Sequence, residues 1–187
     1  MALQGDFAEH IAALRRIGVA TREVRLPQQL EGLQGLIIPG GESTTIGKLA
    51  VDFGLMEPLF NFGQQHAIWG TCAGAILISK DAQRQQPLLG LMDITVERNA
   101  FGRQIDSFEA DLEAPFLRQV DPSEDPFHAV FIRAPIISST YGRAVVLATL
   151  PDGRIVAARQ NCLLATSFHP ELTGDDRFHR YFVEIAK

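Results

Sequence analysis

The 187-residue chain is 46% hydrophobic and 21% charged, a balance that predicts a single domain over residues 1–187 with a substantial core. Its net charge is −5 and its 17 Lys and Arg are scattered, which argues against nucleic acid and membrane surfaces as partners. Two cysteines make no disulfide framework, no apolar run approaches the roughly 18 residues of a spanning helix, and no secretory leader is expected, so the expected location is cytoplasmic.

Met1 to Gly5 reads as the end of a short strand running into a turn. Phe7, Ile11 and Leu14 recur at helical spacing and predict a helix over 6–17. Val19 to Leu26 is a strand candidate. Gly35-Leu36-Ile37-Ile38 is continuously apolar, as in a central parallel strand. It runs into Pro39-Gly40-Gly41-Glu42-Ser43-Thr44 and a helix whose Ile46, Leu49, Ala50 and Phe53 share a face. A helical segment over 55–65 precedes the strand Ala67-Ile68-Trp69, and Gly70-Thr71-Cys72-Ala73-Gly74 leads into a further helix.

The second half offers strands at Leu91–Glu97, Ile105–Leu112, Ala129–Arg133, Val145–Leu150, Arg154–Arg159 and Cys162–Phe168. Asp121–Pro126 is a loop, and a last helix puts Phe178, Tyr181, Phe182 and Ile185 on one face. Strand, turn and helix repeated with short connections predict a three-layer α/β fold, with a mainly parallel open sheet and helices on both faces. Ligands in such sheets sit at the carboxyl ends of strands, where Gly40-Gly41, Cys72 and His169 would emerge.

Gly70-Thr71-Cys72-Ala73-Gly74 has the pattern of a nucleophile elbow with cysteine as nucleophile. A lone G-x-C-x-G is more often a buried cysteine in a tight turn, and a partner is needed to reverse that. Ser167-Phe168-His169-Pro170-Glu171 supplies one. Pro170 keeps His169 extended, so His169 and Glu171, two apart, would share a side. The carboxylate would fix the imidazole's tautomer and stabilise the imidazolium. Cys72, His169 and Glu171 are thus read as nucleophile, base and orienter.

Gly40 to Lys48 fails as a phosphate loop, because Glu42 stands where a glycine is required and Leu49 follows Lys48. Its better use is backbone donation to an oxyanion, with Gly41 joined by the N–H of Ala73. Val96 to Gln104 and Phe131 to Pro135 are unusually polar for their apolar surroundings. Their arginines suit a carboxylate, although salt-bridged arginines are commoner. His10, His66, His128 and His179 lack metal-ligand spacing and read as surface residues; Cys162 reads as a small core residue, and no metal site is expected.

Together these motifs resemble the class I glutamine amidotransferases, and more narrowly the glutaminase subunits of pyridoxal 5′-phosphate synthases. The likeness is carried by Leu3-Gln4-Gly5-Asp6, Pro39 to Thr45, Gly70 to Gly74, Val96 to Phe108, Phe131 to Pro135 and Ser167 to Thr173. It implies a flavodoxin-like α/β fold and a glutaminase with Cys72 as nucleophile, His169 as general acid/base and Glu171 as its orienter. It also implies that Gly41, Glu42, Ser43, Arg98, Ile132 and Arg133 hold L-glutamine. Ammonia would pass to a (β/α)₈-barrel synthase subunit in a large hetero-oligomer, with pyridoxal phosphate a product of the assembly and no cofactor in this chain.

Members of that family carry further apolar residues ahead of the Leu-Gln-Gly turn, so the expectation here is a start upstream of Met1. Rival readings are the glutaminase of another synthase, such as that of imidazole glycerol phosphate, a silent scaffold, or a cysteine hydrolase of different specificity.

Overall fold

The computed structural model describes residues 1–98 and 107–187; the polar block from Asn99 to Gln104 lies outside the described residues, as do Ile105 and Asp106. In chain order come α1 (Phe7–Arg16), β1 (Gly35–Ile38), α2 (Ser43–Asp52), α3 (Met56–Gly63), β2 (Ala67–Thr71) and α4 (Ala73–Ile78). The remainder is β3 (Ser79–Asp81), β4 (Met92–Glu97), β5 (Ser107–Leu112), β6 (Phe127–Ile132), β7 (Ile136–Thr140), β8 (Val145–Thr149), β9 (Ile155–Gln160), β10 (Leu163–Thr166) and α5 (Arg177–Ile185).

The main sheet runs β1-β2-β10-β9-β7-β4-β3, with β8 paired on β9. Its two faces follow from the period of two along each strand. Leu36, Ile38, Ile68 and Ala165 face a core shared with Ile46 and Ala50 of α2, Leu59 of α3 and Leu77 of α4. Ile37, Trp69 and Leu164 face the opposite core, which holds Phe178, Tyr181 and Phe182 of α5. Helices therefore cover both faces, and β2 and β10 are buried along their whole length. This is the α/β layering expected from the sequence.

Pairing is more mixed than the strand–helix repeats suggest. β1–β2, β2–β10 and β3–β4 are parallel, whereas β10–β9, β9–β7, β7–β4 and β8–β9 are antiparallel. The cause is connection length. A parallel return needs a dozen or more residues, and β9 passes to β10 through Asn161 and Cys162 alone. Asn161 takes φ 53°, the positive value that such two-residue hairpins require. Cys162 consequently sits exposed at a hairpin tip and is not the core residue anticipated.

Three further expectations change. Val19 to Leu26 is not a strand, although Val24 is buried and its carbonyl accepts from the N–H of Ala2 (2.8 Å). Met1 to Gly5 forms no ladder either. Among the described residues β5 and β6 pair with each other alone, in a separate two-stranded sheet that ends at Ile132. Among the described residues no helix is long and apolar enough to cross a membrane.

Candidate active site

Thr71 closes β2, and Cys72 turns directly into α4 with φ 48° and ψ −106°, a left-handed conformation that a side chain rarely adopts. Two glycines make the bend sterically possible. A Cβ on Gly70 would stand 2.4 Å from the carbonyl carbon of Gly74, and one on Gly74 would stand 1.9 Å from the carbonyl oxygen of Ile38. The Cys72 N–H donates to Thr166 O (2.8 Å), locking the bend to β10.

His169 follows β10 by a few residues and is anchored through its N–H to Val130 O (2.8 Å). Its Nδ1 lies 2.8 Å from Glu171 Oε1, and Cys72 lines the same cavity as His169, with the Cys72 sulfur 4.0 Å from Ile132 O. Asp6 Oδ2 also approaches Nδ1, at 3.4 Å. The segment is not extended as expected: Pro170–Leu172 is a 3₁₀ turn with proline at its first position, which folds Glu171 back onto His169. All three side chains are buried, Cys72 6%, His169 4% and Glu171 6% exposed.

Burial opposes charge on His169, but hydrogen bonds to Cys72 and Glu171 outweigh it and raise the imidazole to about 10. Burial pushes the Glu171 carboxyl up, and His169 works against that rise. Because the folded value for His169 lies above the ordinary 6.5, its stabilisation is complete below pH 6.5 and is lost as pH rises through about 10. Urea midpoints of the parent and His169→Asn should therefore converge between pH 6.5 and pH 10; a gap that widened over that range would contradict the charged pair.

Cys72 and His169 open onto a cavity of about 380 Å³. Gly41, Glu42, Ser43, Ala73, Arg98, Ile132 and Arg133 line it as well. Glu42 is the N-cap of α2: its carboxylate accepts from the N–H of Thr44 (3.2 Å) and Thr45 (2.6 Å) and pairs with Arg98 Nη2 (3.1 Å). Partial burial raises this carboxyl, yet the hydrogen bonds from Thr45 and Thr44 prevail and bring it to about 2. The N–H of Glu42 is held by Gln4 Oε1 (2.8 Å). Glu42→Ala removes the cap and should cost about 1 kcal/mol, or roughly 2–4 °C in a thermal melt. A Tm equal to the parent's would show that the cap carries no net weight.

His66 and His128 are exposed as anticipated, but His10 and His179 are not, at 3% and 0% exposed. The signal was one of helical phase. His10 sits three residues after Phe7 and four before Leu14, and His179 sits three before Phe182, so each lies beside its helix's apolar stripe.

The family model for SNO glutamine amidotransferases matches residues 1–187. The chain belongs to that family. It is 59% identical over 194 residues to the pyridoxal 5′-phosphate synthase subunit PdxT of Herpetosiphon aurantiacus, covering 99% of this chain and 97% of that one. It is 54% identical to the subunit of the same name from Chloroflexus aurantiacus, again over 99% and 97% of the two chains. A crystal structure described as a glutamine amidotransferase superposes with a TM-score of 0.91 at 50% identity, covering 98% of this chain and 95% of that one. The fold of this SNO chain thus has a close solved counterpart.

Proposed function

We propose that this chain is the glutaminase subunit of a pyridoxal 5′-phosphate synthase, releasing ammonia from L-glutamine in the cytoplasm. The observation that carries the reading is the buried His169–Glu171 pair beside Cys72 at its strained bend, with Cys72 and His169 lining one cavity. Full-length similarity to subunits of that name supports the pathway.

Glutamine enters with its α-ammonium toward the charged Glu42 and its α-carboxylate toward Arg98 and Arg133, beside Ser43 and Ile132. The Cys72 sulfur attacks the side-chain carboxamide carbon. The oxyanion is held by the N–H groups of Ala73 and Gly41. His169 gives its proton to the departing nitrogen, and the C–N bond breaks to leave ammonia and a γ-glutamyl thioester. Water, deprotonated by His169, then opens the thioester and frees glutamate. Glu171 keeps the imidazole in the tautomer that both steps need.

Ammonia passes to a (β/α)₈-barrel synthase subunit in a larger hetero-oligomer. Ile132 and Leu172, at 41% and 44% exposed, flank the mouth of the cavity and would be covered by such a partner. The alternative, a glutaminase serving imidazole glycerol phosphate synthase, finds no support among the close relatives.

The test is glutamate release from glutamine with and without the purified barrel subunit. Strong stimulation by that subunit is expected. Equal rates with and without it would leave a glutaminase of a different pathway, and stimulation only by another synthase would reassign the partner.

A further inference from the structure

Behind Glu171, on the side away from His169, the line of polar groups continues into the core. His10 of α1 places Nε2 3.2 Å from Glu171 Oε2 and 3.3 Å from Thr71 Oγ1. Its Nδ1 lies 3.0 Å from Nε2 of His179 on α5. Trp69 walls in the pair, its ring centroid 5.7 Å from that of His10 and 5.1 Å from that of His179. Glu171 Oε2 is buried and has no aligned hydrogen-bond partner among the described residues, so the 3.2 Å approach of His10 Nε2 is an electrostatic contact to an otherwise unsatisfied oxygen.

Chemistry orients this chain of contacts. A carboxylate only accepts, so His10 Nε2 carries the proton that faces Glu171. Nδ1 of the neutral ring is then an acceptor, and His179 Nε2 donates to it. That leaves His179 Nδ1 bare, and this buried atom indeed has no partner among the described residues. A bare lone pair is better tolerated there than an orphaned N–H.

We propose that His10, held by His179, is a positioning residue: it tethers the far oxygen of Glu171 so that the near oxygen stays on His169 Nδ1. Neutrality is part of the device, because an imidazolium at position 10 would compete with His169 for the same carboxylate. Burial holds His10 well below its ordinary value, and His179, the chain's amino group and His169 add to the effect. Burial lowers His179 to about 4 against the pull of Asp176 and Asp175, with Arg16 acting in the same sense as burial. Asp6 is the other charged group facing Glu171.

The catalytic consequence rests on the glutaminase reading above, but the tether can be tested without substrate. In the complex with the barrel subunit, His10→Phe should lower kcat about tenfold with KM for glutamine within about twofold. His10→Gln, whose amide nitrogen replaces Nε2, should recover most of the rate. In the full chain labelled at histidine, the titration midpoint of the His169 ring by NMR should fall by about one pH unit in the Phe variant and stay near the parent's in the Gln variant. If His10→Phe does not fold, His10→Asn takes its place, since its amide occupies the Nδ1 position and falls short of Glu171.

Equal kinetics for the Gln variant and the variant lacking the donor, or an unmoved His169 midpoint, would overturn the proposal. A parent that releases no glutamate while the midpoint still moves would keep the tether and overturn only the glutaminase reading.

Discussion

Cys72→Ala is expected to reduce glutamate release by about 10⁴-fold or more, because without sulfur no thioester can form and the residual cavity offers only binding and oxyanion donors. Glutamine affinity should change little, since the contacts assigned to the substrate's α-ammonium and α-carboxylate lie on other lining residues, Glu42, Arg98 and Arg133. Titration calorimetry of the Cys72→Ala complex separates the two effects. Cys162→Ala is the matched control: its thiol is exposed at the β9–β10 hairpin and should be dispensable. A Cys72→Ala protein retaining even one-hundredth of the parental rate, by order of magnitude, would end the thiol mechanism.

Gly74→Ala should be the most damaging conservative change to the fold. The added methyl would meet the backbone oxygen of Ile38 in β1 at 1.9 Å, and a Cβ is itself fixed by the backbone of α4. Neither can swing aside as a side chain would. Relief requires α4 to lift from β1, and α4 begins at the residue after Cys72. The expected cost is about 3 kcal/mol or more, which for a chain of this size lowers Tm by roughly 6–12 °C. Activity should fall further than stability, because the lift displaces Cys72 from His169. Gly153→Ala gives the scale for comparison: unlike Gly74 it has positive φ (86°), but a Cβ there meets nothing within 4 Å, so only backbone strain of about 1 kcal/mol is added. Melts of the two variants that coincide would refute the steric argument.

Much of the site was legible because its parts are punctuated by residues with few other uses. Gly70, Gly74 and Gly40-Gly41 mark close backbone approaches, and Pro170 marks a boundary. What the pattern could not supply was pairing. Apolar runs at Ile155–Gln160 and Leu163–Thr166 look alike whether they run parallel or antiparallel, and only the two residues between them decide. Proximity was misjudged for a similar reason. His-Pro-Glu reads as extended by the rule for residues before proline, yet that rule restrains His169 and leaves Pro170 free to open a 3₁₀ turn. His10 and His179 were read by residue type as surface groups, when their helical phase already put them against Trp69 and Glu171.

β10 lies in the middle of the main sheet, between β2 and β9, although it comes from the last quarter of the chain. During synthesis, β1 and β2 are complete long before the strand that joins them to the antiparallel half exists. Until residues 163–166 leave the ribosome, the nascent chain holds two partial sheets with open edges, a state exposed to mispairing and to proteases. The Thr166–Thr71 register, on which Cys72 and His169 depend, closes a loop of nearly a hundred residues. The surroundings of Cys72 are therefore completed only when the last quarter of the chain is in place.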